Sequence, residues 1–243
     1  MTEREKIIDF ARAQIGVCEE PKGSNKQKYG EYLDSTEWYL YKDGSKVWVH
    51  KVNGFDWCTQ TVDAIYCMVF GIEKARNMLH RPIYNNYGAV VKYAYNYFKC
   101  ADSITTKPEP GNVVYFQRNG ELCHTGICSK VENGRVYVIE GNAGKNNWYV
   151  VENNYSINDN YIYGYGVPAY TESKYPDTPY TAKCCLNGVA IRSAPYSDSS
   201  IIGYIHKDDV LTIEDMAGSS GDFGLIHGYV YIPGGFIVED KNT

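Results

Sequence analysis

Among the side chains of this 243-residue chain that can do covalent chemistry, one cysteine and one histidine stand in activating settings. Cys58 falls one or two residues inside the start of a predicted helix. There, unpaired N–H groups and the positive end of the aligned peptide dipoles favour a thiolate. His124 opens a predicted strand, just after a glycine-containing turn. A cysteine nucleophile needs a thiolate, a base to make it and a group to orient that base. The chain after His124 turns back through Asn133-Gly134 and ends its return strand at Glu140-Gly141-Asn142, so the two ends face one another across a hairpin. Either Glu140 or Asn142 can therefore fix the histidine's tautomer, as the third member of a triad does. Such a set performs acyl transfer at a peptide or amide carbonyl.

Each residue alone has a plainer reading. Cys58, Val62, Ile65 and Val69 recur at i, i+4, i+7 and i+11, which puts Cys58 on the apolar stripe of its own helix, where structural cysteines sit. A strand histidine needs no catalytic role either. The elements that must position them begin with Thr2 to Glu5, which has capping-box spacing. A helical stripe of Ile7, Phe10, Ala11, Gln14 and Ile15 follows and ends at Gly16. Further helices are predicted over 25–34, over Trp57 to Phe70 with Gly71 as the stop, and over 72–79 and 87–99. At Lys107-Pro108-Glu109-Pro110-Gly111 the pattern changes to strands, at 113–116, 124–131, 135–140, 148–151 and 161–167. Helices first and an antiparallel sheet second is an α+β order.

The text around the two residues decides between the readings. Asp56-Trp57-Cys58-Thr59 resembles the nucleophile motif of the CHAP family, the cysteine, histidine-dependent amidohydrolases/peptidases of phage endolysins and bacterial wall hydrolases. Pro110-Gly111-Asn112-Val113-Val114-Tyr115-Phe116 is similar to its strand entry, with Asn112 where aspartate is usual. His124-Thr125-Gly126-Ile127 and Glu140-Gly141-Asn142 resemble its histidine and third-residue motifs. Ala11 to Gly16, with Glu19, Pro21, Ser24-Asn25 and Tyr29-Gly30, is similar to the lead-in of one branch. The resemblance covers residues 1–170 and implies a papain-like catalytic domain. It implies Cys58 as nucleophile, His124 as general base and later acid, Glu140 as orienting carboxylate and Asn142 as a polar assistant. Asp56 is expected to act as a charge at the helix start, the alternative being a role in shaping the entry to Cys58.

Residues 171–179 fall in a stretch of prolines, polar residues and tyrosines that reads as a linker. Residues 180–243 alternate short strands with turns, as a small β-barrel does. Val189-Ala190-Ile191-Arg192-Ser193-Ala194-Pro195, and Ile201-Ile202-Gly203 before Lys207-Asp208-Asp209, resemble motifs of the bacterial SH3 domain, which implies a wall-binding module with an SH3-like barrel. The expected function is a peptidoglycan hydrolase of endolysin or autolysin type. It would be either an amidase cutting between sugar and first stem residue or an endopeptidase cutting within stem or bridge peptides. A catalytically silent wall-binding protein and an antibacterial effector with the same chemistry are the alternatives.

Bulk composition excludes other classes. The net charge of -5 is carried mostly by residues 180–243, at -4, and no basic stripe suits nucleic acid. No apolar run approaches the roughly 20 residues of a membrane helix. The N-terminus lacks a secretory signal, so synthesis in the cytoplasm and action on the wall after release are expected. Eight cysteines at 18, 58, 67, 100, 123, 128, 184 and 185 are read mainly as small buried hydrophobes. Zinc at Cys123, His124 and Cys128 does not fit, because adjacent strand residues point to opposite faces. A calcium cage finds no dense acidic run between Asp43 and Asp56. No metal and no cofactor are expected. The 24 tyrosines, with apolar bodies and polar tips, suit wet binding surfaces.

Overall fold

Helix α1 (Glu3–Arg12) opens on Glu3 and Glu5 and closes on Arg12, in accord with the peptide dipole, and buries Ile7, Ile8 and Ala11. A computed structural model of the chain describes residues 1–171, 180–184, 187–195, 198–217, 223–226, 229–231 and 236–238. Helix α2 (Lys28–Ser35) starts three residues later than its sequence pattern suggests. Asn25 sits at φ 57°, outside helical space, and Gln27 caps the helix by accepting the N–H groups of Tyr29 and Gly30. A hairpin follows, β1 (Leu40–Asp43) and β2 (Lys46–Val49), joined by the two-residue loop Gly44-Ser45 with Gly44 at φ 57°.

Helix α3 (Cys58–Phe70) is the centre of the domain. Every residue from Cys58 to Cys67 is buried, so the apolar stripe of the sequence understates its enclosure. Helix α4 (Ile72–Met78) follows directly, and helix α5 (Val91–Cys100) starts four residues later than predicted. The delay has a cause in tertiary contacts. Tyr84 bridges to Leu40 and the Asn86 N–H donates to the Leu40 carbonyl, which draws this segment onto the hairpin, while the Tyr87 N–H donates to the Tyr97 hydroxyl of α5 itself.

The main sheet is antiparallel. It holds β3 (Ile104–Thr105), β4 (Val113–Arg118), β5 (Glu121–Glu132), β6 (Arg135–Ala143), β7 (Tyr149–Ser156) and β8 (Ile162–Gly166), in the order β3-β8-β4-β5-β6-β7. The β5–β6 turn is Asn133-Gly134, both at positive φ, which matches the strand twist. The β4–β5 turn is likewise Asn119-Gly120, and pairing runs right up to it. His124 is therefore the fourth residue of its strand, not the first as predicted. Strand β7 continues to Ser156, five residues beyond the predicted end. Alternation along β4 feeds two cores. Val113 and Tyr115 join the helices, whereas Val114 and Phe116 pack with Cys128, Val136, Val138 and Tyr165. Each large apolar side chain so buried contributes about 1.5–3 kcal/mol.

The chain divides into two compact units, Glu3–Thr171 and Glu172–Thr243 with Met1–Thr2. Among the described residues the second holds eight short strands, β9 (Tyr180–Cys184), β10 (Val189–Arg192), β11 (Ile201–Ile205), β12 (Val210–Ile213), β13 (Asp215–Ala217), β14 (Phe223–Leu225), β15 (Tyr229–Tyr231) and β16 (Phe236–Val238). They form two antiparallel sheets, β11-β10-β15-β14-β13 and β12-β9-β16, and Ala182, Cys184, Ile205 and Ile213 are buried together. Among the described residues no ladder joins the two sheets into a closed barrel. The segment read as a linker lies, apart from Thr171, outside the described residues, as does Cys185. Among the described residues no helix is long and apolar enough to cross a membrane.

Candidate active site

Cys58 is the first residue of α3, with Trp57 at the N-cap and no side chain capping the helix. The first N–H groups of a helix have no intrahelical acceptor, so this end stays electropositive. Its placement is over-determined. Trp57 is fully buried, stacks on Tyr29 at 6.2 Å, and donates its indole N–H to Glu19 at 2.9 Å. Glu19, also buried, accepts the N–H of Asn25 with its other oxygen at 3.0 Å. Gln60 donates to the carbonyls of Val52 and Asp56 and accepts from Gln27. The lead-in stretch around Glu19 to Gly30 thus grips the residues on both sides of the nucleophile.

Strand β6 meets this helix start through a glycine. A Cβ on Gly141 would lie 1.9 Å from the Thr61 hydroxyl and 2.8 Å from the Trp57 ring, so only glycine lets the strand approach this closely. Its neighbours Glu140 and Asn142 are thereby brought to the end of α3.

His124 is hydrogen-bonded to Glu140 and lies within electrostatic reach of Cys58. Its Nε2 lies 2.9 Å from Glu140 Oε2, which leaves Nδ1 for the thiol. Burial alone would lower the His124 pKa, but Cys58 and Glu140 outweigh it and push the value up from 6.5 to about 10. The second oxygen of Glu140 accepts the Tyr155 hydroxyl at 2.8 Å, so this carboxylate, 2% exposed, has a donor on each side. Tyr155 rests on Phe116 with ring centroids 4.9 Å apart. Phe116 pairs in register with His124 and lies 5.8 Å from its ring. Burial, then Glu140, push the Tyr155 pKa up, so its hydroxyl keeps the proton it donates.

Of the residues singled out in the sequence, Cys58, His124 and Glu140 come together. Asn142 goes elsewhere. It sits at φ 55°, and its side-chain amide donates to Asp56 in a long hydrogen bond of 3.4 Å. Asp56, expected as a helix-start charge or as a shaper of the entry to Cys58, accepts that bond two residues before the nucleophile. Two contributors are absent from the sequence reading. Tyr155 lay beyond the predicted end of its strand, although the tract from Tyr149 to Ser156 still alternates in burial. The Glu19–Trp57 bond joins residues far apart in the chain, and only the motif text drew attention to either. Asn112, in the place of a familiar aspartate, is fully buried and accepts from Arg4 at 3.2 Å.

Burial pushes the Cys128 pKa up to about 12 and raises Cys67 further. Among the described residues no group of three or more His, Cys, Asp or Glu could hold a metal ion. The arrangement can deprotonate a thiol, carry its proton and hold the imidazole while it does so.

No curated protein matches the chain. Among solved structures it is similar to "The crystal structure of Ly7917", at 15% identity and a TM-score of 0.35 over 94% of this chain and 92% of that one. It is similar to "The crystal structure of Ly7917 with the hydrolyzing product of MDP" at 16% identity and 0.33, over 95% and 93%. It is also similar to "Structure of NlpC2 from Trichomonas vaginalis" at 18% identity and 0.17, over 57% and 45%. Scores this low establish no common fold. Residues 50–142, the stretch that contains Cys58, His124, Glu140 and Asn142, match the family model of the CHAP domain.

Proposed function

We propose that the chain is a peptidoglycan hydrolase that opens an amide or peptide bond of the cell wall through Cys58, His124 and Glu140. The observation that carries this reading is a histidine held at 2.9 Å by a buried carboxylate and within electrostatic reach of a cysteine at the start of a helix. That this constellation lies inside a stretch matching the CHAP domain supports the substrate class.

In this mechanism the proton of Cys58 already rests on His124, and the thiolate sulfur attacks the carbonyl carbon. The Cys58 N–H at the open helix end is placed to stabilise the oxyanion. The C–N bond breaks as His124 returns the proton to the leaving amine. A thioester remains. Water then attacks it, giving a proton to His124, and the C–S bond breaks to release a carboxylic acid and restore the thiolate. Glu140 fixes the imidazole and balances its positive charge throughout, while the Asn142 side chain pairs with Asp56 instead of with the histidine.

The reading extends to the second unit as an SH3-like wall-binding module. Its short antiparallel strands around a small apolar cluster support that. Tethering by such a module would raise the local concentration of the hydrolase on its polymer. A lysin released from the cytoplasm onto the wall is the setting this implies.

The test is loss of turbidity of purified cell walls, with mass spectrometry of the released fragments. Wild type should release fragments carrying a new amine and a new carboxyl end, and Cys58→Ala none. Equal lysis by both would remove the assignment. The fragment masses separate amidase from endopeptidase cleavage.

A further inference from the structure

The hairpin β1–β2 and the segment 84–93 turn aromatic rings outward that the site above does not use. Trp48 is 48% exposed, Tyr84 43%, Tyr87 42% and Tyr93 44%. Trp48, Tyr87 and Tyr93 share one surface, while Tyr84, bridged to Leu40, lies on the other face of the hairpin. Tyr41 stacks on Trp48 at 6.2 Å and meets Tyr87 edge-on at 4.9 Å, and Tyr87 lies 5.5 Å from Tyr93. Exposed apolar surface gathered in this way marks a binding site more often than chance. The rings are also held in place. The Lys42 N–H donates to the Asn85 side chain and the Tyr87 N–H to the Tyr97 hydroxyl, each at 2.9 Å. Little ordering entropy is left to lose on binding.

Charge narrows the occupant. The whole chain carries -5, yet residues 41–51 and 84–93 hold Lys42, Lys46, Lys51 and Lys92 against Asp43 alone, a net of +3. All four lysines are exposed. A symmetric contact with a second copy would set this positive patch against itself. The patch also runs up to the nucleophile, because the hydroxyl of Thr59, next to Cys58, donates to the Ala89 carbonyl, between Tyr87 and Val90.

We infer that this surface binds the saccharide strand of an acidic, peptide-bearing polymer while its amide lies at Cys58. A pyranose ring offers an apolar C–H face with hydroxyls at its rim, which matches Trp and Tyr rings with polar tips. The lysines meet the carboxylates of the attached peptides. The inference rests on the proposed peptidoglycan hydrolase and adds to it a glycan subsite outside the reacting centre.

The test uses the nitrogen-labelled full chain carrying Cys58→Ala, titrated with soluble, uncrosslinked peptidoglycan chains and followed by NMR. Trp48→Phe identifies the Trp48 indole signal among those of the four tryptophans. That signal should shift on titration, and Tyr87→Ala should weaken the midpoint by about tenfold, as loss of one aromatic anchor does. A Trp48 signal unmoved at saturation overturns the inference, even if other signals respond. So does a shift produced by raising protein concentration alone, which would assign the surface to a second copy. Fragment release by the wild type is scored separately, so failure of the hydrolase reading is distinguishable from failure of the subsite.

Discussion

Helix α3 carries two cysteines, and its two ends treat them differently. Cys58 at the start is 5% exposed and Cys67 near the far end is 2% exposed, and both belong to the same apolar core. Burial therefore does not tell them apart. Their partners do. Cys58 faces His124, which can take its proton. Cys67 has no such base; burial first, then the Asp63 carboxylate, push its pKa up. The helix start is used for chemistry because its N–H groups and dipole favour an anion there. The middle is used for structure. Asp63 is fully buried and accepts from Trp38 at 2.8 Å, from Tyr39 at 2.9 Å and from Arg81 at 2.8 Å. Burial would strip Arg81 of its charge, but Asp63 outweighs it and raises the pKa.

This contrast can be broken at either end. The largest effect should come from Cys58→Ala, which removes the nucleophile and should lower wall hydrolysis on the order of a thousandfold or more. In the same turbidity assay Cys67→Ala should keep its activity. Next comes Glu140→Gln, with loss of roughly 10²–10⁴-fold in turnover. It also tests the proton balance. With its pKa raised from 6.5 to about 10, His124 keeps its proton in the fold where the unfolded chain has lost it. The stability this contributes is complete below about 6.5 and is lost as pH rises through about 10. Glu140→Gln should shrink that alkaline window and move the alkaline limb of the activity profile down, which denaturation and rate measurements across pH would read.

Smaller effects belong to the scaffold. Asp63→Ala leaves Arg81 buried without its counter-charge, and should cost about 3–5 kcal/mol in urea unfolding while sparing the pairing of Cys58 with His124. Tyr155→Phe takes one donor from buried Glu140. It should cost about 1–3 kcal/mol and lower turnover more than it raises KM, because the carboxylate acts through His124. The smallest effect is Cys67→Ala, at about 1 kcal/mol for the sulfur's lost contacts.

Much of this was legible in the sequence because it rests on local rules. The i, i+4, i+7 spacing locates α3, and Asn133-Gly134 locates the hairpin that brings His124 and Glu140 to one end of the sheet. The choice between Glu140 and Asn142 was not legible. Register shifts between Glu140 and Ala143, and the positive φ of Asn142 swings its side chain to Asp56. A period-two count cannot foresee a bulge. Tyr155 was lost because Glu152-Asn153-Asn154 looks like the end of a strand, whereas pairing with β6 carries the strand on to Ser156. The hairpin at 40–49 was missed although Gly44-Ser45 is a fitting two-residue turn, since Lys42-Asp43 breaks the apolar pattern before it. The late start of α5 is tertiary, set by the pull of β1 on residues 84–86.

The most direct test of the central claim is the rate of alkylation of each cysteine by iodoacetamide at neutral pH, followed by peptide mass spectrometry in wild type and His124→Ala. Cys58 should react fastest of the buried cysteines in wild type and lose that advantage in His124→Ala, with Cys67 and Cys128 slow in both. A Cys58 no more reactive than Cys67, or one indifferent to the loss of His124, would contradict the account.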